Sequence, residues 1–97
     1  MATYVMLGNF TDQGIRNIKE TTKRADAFRD LSEKAGVTVR EVFWCLGQYD
    51  LMAIVDAPDE ETATALTLSV ASLGSIRTEM LRAFSSDDMK RILAKMA

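Results

Sequence analysis

Histidine is absent from this 97-residue chain. Imidazole is the usual metal ligand, haem ligand and general base near neutral pH, so its absence excludes His-dependent triads, ordinary zinc sites and His-ligated haem. Cysteine occurs once, at Cys45, which excludes a disulfide within the chain and fits a reducing compartment. Neither sign of charge dominates: 12 basic and 14 acidic residues are interspersed and leave a formal charge of −2. No electrostatic footprint for a polyanionic backbone results, and nucleic acid is disfavoured as a partner. Long hydrophobic runs are also missing. The longest uncharged stretch, Thr62 to Ile76, is too short and too rich in hydroxyls to span a bilayer, and Met1-Ala2-Thr3-Tyr4 has neither the basic nor the apolar part of a secretory signal. A cytoplasmic protein with no membrane partner is expected.

Apolar residues make up 47% of the chain and charged residues 27%, a balance that supports one folded domain over residues 1–97 and not a disordered segment. Thr3 to Asn9 reads as a first strand, followed by the polar loop Asn9-Phe10-Thr11-Asp12-Gln13-Gly14. Ile15, Ile18, Ala25, Phe28, Leu31 and Ala35 recur mostly three or four apart, the signature of an amphipathic helix, with a break at Thr21-Thr22 and a left-handed C-cap at Gly36. Glu20 with Arg24, and Asp30 with Lys34, are spaced for i,i+4 ion pairs on that helix.

Val37 to Leu46 and Leu51 to Val55 are the second and third strands, and the short Gly47-Gln48-Tyr49-Asp50 connection makes them a hairpin. A second helix opens at Pro58-Asp59-Glu60-Glu61-Thr62 with Asp59 as N-cap, runs an inward stripe of Ala63, Leu66, Val70 and Leu73, and ends at Gly74. Ile76 to Phe84 is the fourth strand. A closing helix starts at Ser85 or Ser86 and carries Met89, Ile92, Leu93 and Met96 along one side. The order predicts a ferredoxin-like βαββαβ fold of the α+β class: a four-stranded antiparallel sheet with both main helices on one face, plus an extra C-terminal helix.

The strands do not alternate as a half-wet sheet should. Tyr4-Val5-Met6-Leu7, Val42-Phe43-Trp44-Cys45-Leu46 and Leu51-Met52-Ala53-Ile54-Val55 place consecutive apolar residues on opposite faces, and two helices cover only one. The other face must be buried by something else, so a homodimer or higher homo-oligomer is expected. In the second helix Ala65, Leu68 and Ala71 add apolar surface outside the inward stripe.

Several residues are candidates for a ligand site. Tyr49-Asp50 offers a phenol and a carboxylate at a cavity rim; alternatively, Gly47 and Asp50 are there to form the turn. Thr11, with Gln13 and Gly14, precedes a helix and is a candidate anion site or simply an N-cap. Arg77 and Glu79 share one strand face and are read either as an intersubunit ion pair or pocket lining, or as solvated charges on an edge strand. Trp44 and Phe43 point to opposite faces, and Trp44 is a candidate for ligand stacking as well as for packing. Cys45, taken as mid-strand among apolar neighbours, reads as an inert buried thiol. The acidic clusters at Asp59-Glu60-Glu61 and Asp87-Asp88 sit at helix starts, where dipole compensation explains them without a metal. No cofactor is expected, and no constellation carries a reaction unambiguously.

Asn9-Phe10-Thr11-Asp12-Gln13-Gly14, Gly47-Gln48-Tyr49-Asp50 and Asp56-Ala57-Pro58-Asp59 together make the chain resemble the GYD-domain family of small bacterial proteins, over nearly its whole length. Gly47, Tyr49 and Asp50 correspond to the residues that name the family, Thr11 and Gly14 to its Thr-x-x-Gly, and Arg77-Thr78-Glu79 with Ala83-Phe84 to its last strand. Asp56 replaces a common glutamate, and Trp44 a tyrosine or phenylalanine. The resemblance implies a ferredoxin-like fold within the dimeric α/β-barrel group, and no particular activity. That group includes cofactor-free monooxygenases, isomerases, haem-handling enzymes and ligand sensors, a kinship of fold alone. Two functions follow as expectations. One is a homo-oligomer holding a small apolar or mixed ligand between sheet and partner, with oxygenase or isomerase activity within its range. The other is a structural or regulatory oligomerisation module without catalysis.

Overall fold

Local signals set the element ends. In the computed structural model, which describes Met1–Ala97, β1 (Ala2–Phe10) runs into Thr11, whose side chain caps α1 (Asp12–Arg16) by accepting from the Gly14 amide. A 3₁₀ turn (Ile18–Glu20) leads to α2 (Thr21–Lys34). The helical stretch therefore breaks at Asn17–Glu20, just before Thr21. It ends at Gly36, where φ is +77°. β2 (Thr38–Trp44) and β3 (Leu51–Ala57) form the hairpin, α3 (Glu60–Ser72) is capped by Asp59 through the Thr62 amide, and β4 (Ile76–Ala83) follows Gly74. α4 (Ser86–Leu93) opens with a reciprocal capping box between Ser85 and Asp88.

The sheet order is β2-β3-β1-β4, with every neighbour antiparallel. This is the ferredoxin-like arrangement expected from the element order. Tyr4, Met6, Ala53, Val55 and Ala57 point to the helix side and are buried there with Ala63 and Leu66 of α3. Ser32, fully buried on α2, returns its hydroxyl to the Phe28 carbonyl at 2.7 Å.

Four local expectations are corrected. Cys45 is exposed, because the chain leaves the ladder after Trp44 and the cysteine stands in the hairpin loop. Leu73 is 69% exposed, since it lies at the C-cap of α3, beyond the part of that helix seated on the sheet. Glu20 pairs with Lys23 at 3.2 Å and not with Arg24, which donates to the Asn17 carbonyl instead; Glu20 belongs to the 3₁₀ turn, where the spacing of a continuous α-helix does not hold. Asp30 and Lys34 form no ion pair, and both remain solvated on the outer side of α2.

Only 11 of 97 residues are buried, so the chain alone does not close a full core. Its accessible surface is 6645 Å², against about 5,500 Å² for a compact monomer of this mass. The radius of gyration is 14.6 Å and the extents are 51 × 30 × 18 Å, where a round domain of this length has a radius of about 12.5 Å. α4 contributes to the elongation, because it packs extensively against no other element.

Candidate functional site

The face of the sheet away from the helices carries Val5 and Leu7 of β1, Met52 and Ile54 of β3, Phe43 of β2 and Leu81 of β4. Cross-strand register makes them neighbours: Val5 is opposite Ile54 and Leu81, and Met52 is opposite Leu7 and Phe43. Phe43 and Leu81 are 45% and 46% exposed, and Val5, Leu7, Met52 and Ile54 are half-buried. Polar groups close both ends of this strip. At one end Asp56 accepts from the Thr3 hydroxyl at 2.7 Å and lies 3.7 Å from Arg40. At the other stand Arg77 and Glu79, which alternate along β4 on this same face. An apolar centre with a polar rim is the anatomy of a protein interface.

Tyr49 reaches that rim from the hairpin. Its hydroxyl donates to Glu79 Oε2 at 2.7 Å, and this hydrogen bond, with burial and the carboxylate charge adding to it, raises the tyrosine above its ordinary pKa. Asp50 ties the hairpin to the end of β1: its Oδ2 accepts from the Phe10 amide at 2.9 Å, and its own amide donates to the Gly8 carbonyl at 2.9 Å. Thr11 lies in a separate clasp. Its hydroxyl donates to the Gly74 carbonyl at 2.5 Å and its amide to Ser75 O at 3.2 Å, joining the start of α1 to the α3–β4 connection. Arg77 makes no side-chain hydrogen bond within the chain. Asp59 and Asp88 are held below the usual carboxylate range by the Thr62 and Ser85 amides, the ordinary consequence of capping.

Trp44 lies on the other face from this group. It is the helix-side member of the Phe43–Trp44 pair, and its Nε1 donates to Thr21 Oγ1 at 3.0 Å. There it lines a cavity of about 310 Å³ between the sheet and the two helices. The structure thus brings Tyr49, Glu79 and Arg77 to one end of the open face, while Thr11, Asp50 and Trp44 each go elsewhere. Residues the sequence did not put forward as site candidates, among them Gly8, Thr21, Arg24 and Phe28, line the cavity. One signal for it was present: a glycine inside a strand marks a close approach. A Cβ on Gly8 would fall 2.3 Å from Ile76 Cδ1.

No three side chains among Cys, Asp and Glu converge as a metal site, and no helix is long and apolar enough to cross a membrane. Fold and site together define a small ferredoxin-like α+β domain with one sheet face unprotected. Residues 4–93 match the family model described as GYD domain, and the chain belongs to the GYD-domain family. It is 31% identical over 90 residues to the "Glutamine synthetase and cystathionine beta-lyase binding protein" of Thermus thermophilus, covering 92% of this chain and 95% of that one. It also superposes on the crystal structure of TTHA0845 from the same organism with a TM-score of 0.65 and 27% identity, covering 89% of this chain and 96% of that one.

Proposed function

We propose that this GYD-domain protein is a non-catalytic, self-associating module of the cytoplasm that binds other proteins. The observation that carries the reading is the uncovered strip of Val5, Leu7, Phe43, Met52, Ile54 and Leu81. The accessible surface exceeds that of a compact monomer by roughly 1,000 Å², and a stable interface takes about 800 Å² from each partner. A second copy applied to the sheet supplies the missing cover. α4 offers a further surface, because Met89, Ile92 and Leu93 are exposed along it and Met96 is exposed just beyond its end. The relative named for binding glutamine synthetase and cystathionine β-lyase makes metabolic enzymes the partners to try first.

The competing reading is a small-ligand site between the sheet and a second copy, with Tyr49, Asp50, Thr11 and Arg77 as polar contacts. Engagement of Asp50 and Thr11 by the chain's own backbone favours the protein-binding reading over it.

Sedimentation velocity at micromolar concentration tests the first part: a dimer or larger species is expected, falling to one chain in Ile54→Lys, with circular dichroism verifying that the variant folds. Surface plasmon resonance against purified glutamine synthetase and cystathionine β-lyase tests the second. A wild-type protein that sediments as a folded single chain and binds neither enzyme overturns the proposal.

A further inference from the structure

The layer between sheet and helices is solid at one end and hollow at the other. Around Tyr4, Val55, Ala57, Ala63 and Leu66 the packing is closed. At the end where β1 finishes and β4 begins, a cavity of about 310 Å³ opens between the sheet and the helices, with Gly8, Ala25 and Ala53 in its lining. The cavity opens to solvent past Leu31, Trp44 and Leu73, which are 37%, 45% and 69% exposed, and its volume matches the lower range of small-molecule pockets. The walls are largely apolar: Phe28 and Leu31 from α2, Val70 from α3 with Leu73 at its C-cap, Trp44 and Ile76 from the sheet.

Four polar side chains interrupt the apolar lining: Gln13 is engaged with the Leu73 carbonyl and the Ser75 hydroxyl, while Arg24 and Thr21 keep donors for a guest. Arg24 is half-buried and lines the cavity, yet no carboxylate pairs with it; its single hydrogen bond within the chain runs from Nη1 to the Asn17 carbonyl at 3.0 Å. The remaining guanidinium N–H groups have no acceptor within the chain. Thr21 Oγ1 accepts from Trp44 Nε1, which leaves its own proton to donate. An unpaired guanidinium on an apolar cavity selects an anion with an apolar body, and a carboxylate is the group it binds in a two-point fork.

We propose that this cavity is a binding site for a small apolar monocarboxylate, its carboxylate on Arg24 and the Thr21 hydroxyl and its body against Phe28, Leu31, Val70, Ile76 and the Trp44 indole. The site lies within a single protomer, on the side of the sheet opposite the self-association strip. It therefore stands or falls separately from the proposed oligomer.

Trp44 is the only tryptophan, so its fluorescence reports the site directly. The full chain is titrated with octanoate, and with octan-1-ol and octylamine as neutral and cationic controls. Saturable change is expected with octanoate, with each control weaker by about tenfold or more, the scale of a charge-assisted hydrogen-bond pair. Arg24→Gln should reduce octanoate to the level of octan-1-ol. Ala25→Leu, which fills the hollow, should abolish binding while its thermal melt stays cooperative, and Ile54→Lys should retain wild-type affinity. The assignment is overturned if octanoate gives no saturable signal, if Arg24→Gln binds as wild type, or if Ile54→Lys loses the ligand while a folded Ala25→Leu keeps it.

Discussion

The hydroxyl of Tyr49, in the β2–β3 hairpin, donates a 2.7 Å hydrogen bond to Oε2 of Glu79, 30 residues later on β4. β1 lies between that hairpin and β4 in the sheet, so the contact bridges its end and fixes the hairpin over one rim of the open face. The tyrosine is the donor, so the bond exists only while the phenol keeps its proton.

Tyr49 is accordingly expected to ionise above its ordinary value of 10.0, chiefly because of that bond to Glu79. A raised folded-state pKa stabilises the fold at pH below the unfolded value and loses the contribution as pH rises through the folded one. Absorbance at 295 nm should therefore show a late phenolic step that moves earlier in Glu79→Gln and is missing in Tyr49→Phe. An unchanged step in Glu79→Gln would remove Glu79 as the cause.

Gly14 and Gly36 should respond differently to alanine. A Cβ at Gly14 would lie 2.1 Å from the backbone oxygen of Ser75, which cannot move without opening the clasp made by Thr11. Gly36 has open space around it and only its φ of +77° to protect. Urea unfolding should give a loss of about 2–3 kcal/mol for Gly14→Ala, the upper range of overpacking, and about 1 kcal/mol for Gly36→Ala, the cost of a left-handed residue. Equal losses would mean that the approach to Ser75 is not tight in solution.

Thr11→Val should weaken the same clasp by removing the hydroxyl that accepts from Gly14 and donates to Gly74. A loss of about 1–2 kcal/mol is expected, typical of an N-cap with a second hydrogen bond. Octanoate affinity and sedimentation should stay as in the wild type. A change in either without loss of stability would assign Thr11 to a site.

Tyr4→Phe should be neutral or stabilising. The Tyr4 side chain is 4% exposed and its hydroxyl is buried with no hydrogen-bond partner, an arrangement that costs about 1 kcal/mol or more. Phenylalanine removes that oxygen and keeps the ring under Arg82, whose guanidinium carbon sits 5.5 Å from its centroid. Differential scanning calorimetry that shows a clear fall in melting temperature would mean that the hydroxyl has a partner in solution.

The residue order alone determined the four strands and the principal helices, the hairpin at Gly47–Asp50, the cap at Asp59, and the second apolar face of the sheet; it left Thr11 open between cap and anion site, and the last cap between Ser85 and Ser86. Those features depend on neighbours along the chain: 3.6-residue and two-residue periodicity, and hydrogen bonds that span three residues. The tertiary structure decided the rest. It put Cys45 in solvent by ending β2 at Trp44, two residues earlier than expected, joined Tyr49 to Glu79, and left Arg24 without a carboxylate partner beside a hollow. That hollow is lined from β1, β3, α2 and α3 together. Side-chain volumes summed across a packed layer are a property of the assembled fold, and no window of sequence contains them.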